Sequence, residues 1–279
     1  MFKIGVMTDS FRIDTKSAIE TAAKIGADGF QMYATTGENS PENLTKEKRR
    51  ELLDFTKSHG LVFSAICGDL GQGFGNKDKN PELIEKSKRI LDLAKDFECD
   101  IVTTHIGVVP SNPGHERYKI MQEACFELAK YADDMGSHFA IETGPEPAQV
   151  LRNFLDSLSS HGVAVNLDPA NLVMVQNEDP VKAVHILGDY IVHTHAKDGR
   201  QNYWKNPEEI YGIIEHSTFA ESEPAFEELP LGEGKVNFPL YLQALREVGY
   251  NGFLTIEREC GDNPIEDITK AVKFLKDLI

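Results

Sequence analysis

The sequence predicts an α/β protein, a single (β/α)8 barrel spanning residues 1–279. Two observations predict it. Eight short runs of β-favouring residues alternate with amphipathic stretches of helical period, and side chains able to hold a cation stand at the ends of successive runs. The strand-like runs occupy 3–8, 29–33, 61–66, 100–105, 138–142, 163–168, 190–195 and 252–257. Between them, TKSAIETAAKIGA, NLTKEKRRELLDFTKSHG, PELIEKSKRILDLAKDFE and ERYKIMQEACFELAKYADDMG place apolar residues three and four apart, with charges between. Such alternation implies a parallel sheet, and eight units close most naturally into a barrel. An open doubly wound sheet is the competing architecture. It usually carries a glycine-rich turn after its first strand, and TDSFRIDT has no glycine.

The punctuation agrees with this reading. Gly60, Gly136 and Gly162 each follow a helical pattern, where a residue tolerant of left-handed backbone is expected. The rhythm breaks once, over 199–233, between the seventh and eighth strands. This stretch carries Glu208, Glu209, Glu215, Glu221, Glu223, Glu227 and Glu228, together with Tyr203, Trp204, Tyr211, Phe219 and Phe226. A short helix is expected near 208–215, before the turn PLGEG. A βα loop of this length is expected to be a lid or substrate-binding segment, or else an oligomer contact or a mere insertion.

Composition narrows the function. Hydrophobic residues make up 41% of the chain and charged residues 27%, as in an ordinary globular domain with a substantial core. Forty-five acids against 29 bases give a net charge of −16, which disfavours nucleic acid and anionic membrane as partners. Cys67, Cys99, Cys125 and Cys260 are scattered without CxxC spacing, so neither a disulfide framework nor a thiolate zinc site is expected. MFKIGVMT enters a strand directly, and no apolar run reaches the roughly 18 residues of a membrane helix. A soluble cytoplasmic protein is the expectation.

The chemistry-bearing residues follow from the strand ends. Glu142 closes HFAIE, Asp168 closes VAVNLD, His195 closes YIVHTH and Glu257 closes GFLTIE. In a barrel of this kind the C-terminal strand ends form the catalytic face. Four consecutive strands therefore aim three carboxylates and one imidazole at a common centre, a donor set for a hard cation. His193 lies two residues before His195 and points the same way, deeper in the barrel. His105, ending IVTTH, is expected in the pocket. The remaining histidines, His59, His115, His138, His161, His185 and His216, fall on helix ends, loops or strand starts and read as structural.

The segments AIETG, NLDPAN, HTHAKD, LPLGEGKVNF and GFLTIERE resemble the xylose isomerase-like TIM-barrel superfamily of sugar isomerases and epimerases, over nearly the whole chain. The resemblance implies that Glu142, Asp168, His195 and Glu257 hold one divalent metal ion. The donor set favours Mn2+ or Mg2+ and also admits Co2+ or Zn2+. It further implies that Glu142 and Glu257 are the catalytic pair, moving a proton from and to a keto-sugar or related polyol through an enediolate. The ketose 3-epimerases of the family carry a histidine where this chain has Asn171, a glutamate where it has Ala148 and an arginine where it has Gln201. Substrate binding is then expected to fall to His105, Asn171, Lys197, Asp198 and Arg258. The rival reading is a lyase or dehydratase acting on an inosose or a 3-keto-glycoside. A more remote one is a non-catalytic carbohydrate-binding barrel. The family's apurinic endonucleases need further histidines for additional zinc ions, and Asn171 and Cys67-Gly68 stand in those places. A homo-oligomer is in keeping with the family.

Overall fold

Strands buried on both faces need nearly continuous apolar sequence, and VAVNL at 163–167 is buried at every position. The computed structural model describes residues 1–215 and 223–279. His216, Phe219 and Glu221, noted above, lie outside the described residues. The strands are β1 (Lys3–Met7), β2 (Gly29–Tyr33), β3 (Val62–Cys67), β4 (Ile101–Thr104), β5 (His138–Glu142), β6 (Val163–Leu167), β7 (Ile191–Ala196), β8 (Asp198–Gln201), β9 (Phe226–Leu229) and β10 (Phe253–Ile256). Eight of them close a barrel in the order β1-β10-β7-β6-β5-β4-β3-β2, every pairing parallel.

The helices are α1 (Thr15–Ile25), α2 (Lys46–Ser58), α3 (Asn80–Asp96), α4 (Glu116–Asp134), α5 (Ala148–Leu158), α6 (Pro169–Asn171), α7 (Pro180–Leu187), α8 (Pro207–Ile210), α9 (Phe238–Glu247) and α10 (Pro264–Lys276). Each long helix turns its apolar stripe toward the barrel; α5, for example, buries Leu151, Phe154, Leu155 and Leu158. Phe63 sits between Phe30 and Phe97, with ring centroids 4.6 and 4.3 Å away. Truncating one of these rings to alanine would cost roughly 3–5 kcal/mol.

Two expectations are corrected here. Gly162 does not end α5. Ser159 takes the left-handed conformation, with φ of 47°, and Gly162 is required because a Cβ there would stand 1.9 Å from the Ala129 carbonyl oxygen. The long loop also carries two strands where only a short helix was expected. β8 and β9 pair antiparallel, Asp198 opposite Leu229 and Gln201 opposite Phe226, so the segment leaves and returns as a hairpin. The helix expected near 208–215 is the shorter α8. Among the described residues no helix is long and apolar enough to cross a membrane.

Register shifts interrupt the barrel ladders at two places, between Phe30 and Gln31 in β2 and between Val165 and Asn166 in β6. In each case the extra residue, Ser64 or Val192, belongs to the neighbouring strand, β3 or β7. Gln31 and Asn166 both point into the barrel, where neither has any exposed surface.

Candidate active site

Glu142, Asp168, His195 and Glu257 each offer one donor atom, and these four atoms lie within 4.8 Å of one another. His195 Nδ1 is 3.4 Å from Asp168 Oδ2, 3.4 Å from Glu257 Oε2 and 3.6 Å from Glu142 Oε1. All four residues are buried. Donors about 2.1 Å from one cation lie no more than about 4.2 Å apart. Small side-chain adjustments therefore close the set around a divalent ion.

The imidazole is held for this role from behind. Its Nε2 lies 2.9 Å from Gln31 Oε1, an atom that can only accept. Nε2 therefore carries a hydrogen, and the other nitrogen, Nδ1, faces the three carboxylates. Burial opposes a charge on His195, yet Glu257 and Glu142 outweigh it and raise its pKa well above the ordinary value. Three carboxylates around Nδ1 thus call for positive charge at that point, whether a proton or a metal ion.

A hydrogen-bonded layer lies under the centre. Asn166 Nδ2 donates to Glu142 Oε2 at 3.1 Å, and Asn166 Oδ1 is 2.8 Å from His193 Nδ1. His193 Nε2 is in turn 2.9 Å from Thr255 Oγ1. Burial, with the neighbouring His195, pushes the His193 pKa well down, so it stays neutral in this layer. Asp168 Oδ1 accepts from the backbone N–H groups of Ala170 and Asn171 at 2.8 and 2.9 Å. Those bonds cap α6 and fix the carboxylate, leaving Oδ2 toward the centre. Thr143 brackets the Asp168 main chain on both sides.

Above the centre opens a cavity of about 530 Å3, lined by Glu142, His195 and Glu257 and also by His105, Asn171 and Lys197. Asn171 Nδ2 donates to Glu142 Oε1 at 3.1 Å. Lys197 Nζ donates to Glu257 Oε2 at 2.8 Å and also to Glu259. Burial lowers the lysine pKa, but Glu257, Asp168 and Glu259 raise it further, so it remains a cation. Burial likewise disfavours a charge on His105. The Glu142 charge and the hydrogen bond to Asp69, 3.2 Å away, bring its pKa up to about 9.

The structure does not bring the other two expected residues into this cavity. Asp198 turns its carboxylate to the backbone N–H groups of Gly199, Gly232, Gly234 and Val236, at 2.9 to 3.0 Å. It ties the PLGEG turn to the end of β7. Arg258 is not in the cavity lining and is held by Glu228 and Asp267. Apart from the adjacent Gly199, the partners that hold them lie 9 to 38 residues away along the chain.

Sequence reasoning missed Gln31, Asn166 and Asp69, which orient His195, Glu142 and His105. Their one signal was a polar residue inside, or just after, an otherwise buried strand. Among the cavity's cysteines, Cys67 ends β3 and burial pushes its thiol pKa up, leaving it a neutral wall residue.

Fold and site together define a parallel barrel with a cation-ready centre at its strand ends. A family description, xylose isomerase-like TIM barrel, matches residues 19–278, and the chain belongs to that family. It is 29% identical over 225 residues to 2-oxo-tetronate isomerase of Pectobacterium atrosepticum, covering 78% of this chain and 76% of that one. Over 142 residues it is 28% identical to inosose dehydratase of Lacticaseibacillus casei, covering 50% and 45%. The crystal structure of a xylose isomerase domain protein from Planctomyces limnophilus superposes with a TM-score of 0.80 at 24% identity, covering 99% and 96%.

Proposed function

We propose that this protein is a divalent-metal-dependent isomerase or epimerase of a keto-sugar or related polyol, working by proton abstraction through an enediolate. The observation that carries the reading is the convergence of Glu142, Asp168, His195 and Glu257 within 4.8 Å at the floor of a substrate-sized cavity. Family membership and the likeness to an isomerase support it. Mn2+ or Mg2+ suits three oxygens and one nitrogen. When bound, such an ion polarises a carbonyl and its neighbouring hydroxyl and so acidifies the C–H between them.

The chain's own residues do the rest. Glu142 and Glu257 stand on strands three places apart around the barrel, with β6 and β7 between them. They flank the cavity from two sides, so one can take a proton from a sugar carbon and the other return it. Asn171 and Lys197 orient those two carboxylates. His105, braced by Asp69, meets substrate oxygens from β4. Ile210, Tyr211 and Phe226 of the long loop wall the cavity against water.

The test is proton exchange with solvent. Keto-sugars incubated with protein and Mg2+ in deuterated water should gain deuterium beside the carbonyl, read by NMR and mass. Glu142→Gln and Glu257→Gln should abolish the exchange. Undiminished exchange in both variants would overturn the reading. The likeness to inosose dehydratase favours a second outcome, in which the same proton abstraction is followed by loss of a β-substituent. Product mass in ordinary water separates the two: unchanged mass means isomerase, loss of water or an aglycone means lyase.

A further inference from the structure

Tyr211 follows α8 in the long loop, outside the barrel, yet its side chain reaches the wall of the cavity above Glu142. Its ring centroid is 5.7 Å from that of His105. Its hydroxyl comes so close to the end of β5 that a Cβ on Gly144 would be 3.3 Å from it. Gly144 lies two residues past Glu142, and its missing side chain leaves room for both the phenol and Asn171, whose own Cβ would be only 2.5 Å from such an atom. Tyr211 is half-buried, and its side chain lines the cavity together with His105, Asn171 and Met174. A phenol in the wall of a polar cavity offers its hydroxyl to whatever occupies that cavity, the ring packing and the tip hydrogen-bonding.

The loop holds this side chain in place by contacts of its own. Asn206 caps α8 by accepting from the Glu208 N–H at 3.0 Å, and the Tyr211 N–H closes the turn on the Pro207 carbonyl at 2.9 Å. Glu208 is paired with Arg117 of α4, which pins the turn to the barrel. The phenol is therefore presented by a strap with its own anchor, independent of the strands that carry the cation-ready centre.

We propose that Tyr211 is a substrate-contacting residue, donating its phenolic hydrogen bond to an oxygen of the bound keto-sugar on the Glu142 side of the cavity. The inference rests on the isomerase reading given above. Burial, then the charges of Glu142 and Glu146, raise the phenol pKa well above its ordinary value, so the group is a donor throughout the working pH range. Its role is binding and selection of substrate, with no proton transferred.

The probes are D-fructose, L-ribulose and an inosose, each assayed by deuterium exchange with Mg2+ present. With whichever probe the wild type exchanges, Tyr211→Phe should raise KM roughly tenfold while kcat changes little. Mn2+ affinity, read by calorimetry, and the unfolding midpoint should stay at wild-type values. Glu208→Gln, which loosens the strap without touching the phenol, should raise KM in the same direction. The double variant should be no worse than Tyr211→Phe alone, since both act through one hydroxyl. Exchange by the wild type with an unchanged KM in Tyr211→Phe would overturn this proposal and leave the isomerase reading standing. A fall in Mn2+ affinity in Tyr211→Phe would also overturn it, by showing a structural role. Failure of the wild type to exchange any of the three probes would overturn the isomerase reading and this proposal together.

Discussion

Replacing Gln31 with leucine should weaken metal binding although Gln31 touches no metal. Gln31 is fully buried, accepts from His195 Nε2 at 2.9 Å and donates to Thr103 Oγ1 at 2.8 Å. Leucine fills a similar volume and removes the acceptor. The other group near Nε2, the Asn166 Nδ2 amide at 3.2 Å, is itself a donor and cannot take over. The tautomer that leaves Nδ1 free for a cation then carries an unsatisfied buried N–H, which costs about 1–3 kcal/mol. Outer partners of metal-bound histidines typically contribute roughly 10- to 100-fold in affinity, the same range. Calorimetric titration with Mn2+ should therefore give a Kd roughly 10- to 100-fold weaker for Gln31→Leu. Thr103→Val, which removes the glutamine's own support but keeps its acceptor, should weaken binding less. A Gln31→Leu Kd within about twofold of wild type, or an equal loss in Thr103→Val, would refute the tautomer argument.

Two further outcomes follow from residues around the site. Asp198→Ala should leave the backbone N–H groups of Gly199, Gly232, Gly234 and Val236 without their acceptor and lower stability by roughly 2–4 kcal/mol, measured by urea unfolding, with Mn2+ affinity unchanged. Burial pushes the Glu146 carboxyl from its ordinary 4.5 up to about 8, and one of its oxygens has no partner. A raised carboxyl pKa means the folded protein holds the proton more tightly than the unfolded chain. The protein should then lose stability as pH rises from about 4.5 to about 8, by at most about 1.4 kcal/mol per unit. Glu146→Gln should remove that slope; a slope unchanged in the variant would contradict the assignment.

The barrel and its centre were legible because both depend on local pattern. A parallel strand presents its last inward residue to the same face as its neighbours, so Glu142, Asp168, His195 and Glu257 could be placed together from run ends alone. Asp198 and Arg258 looked equally suitable by position. Their directions are set by the turn at 232–236 and by Glu228 and Asp267, contacts that no local pattern encodes. Gln31 and Asn166 were hidden for a different reason. A polar residue in a strand gives no sign of facing inward, and the partners that hold these two come from other strands, Thr103 and His195 for Gln31 and Glu142 and His193 for Asn166. The hairpin of β8 and β9 was missed because four-residue strands carry too little alternation to stand out in a charged loop.

The central claim is that Glu142, Asp168, His195 and Glu257 form one metal site. Anomalous diffraction from crystals soaked in Mn2+ tests it most directly. The account predicts one strong peak per chain, roughly 2.0–2.3 Å from a carboxylate oxygen of each acid and from His195 Nδ1. No peak there at saturating Mn2+, or a peak elsewhere with these four side chains unengaged, would contradict it.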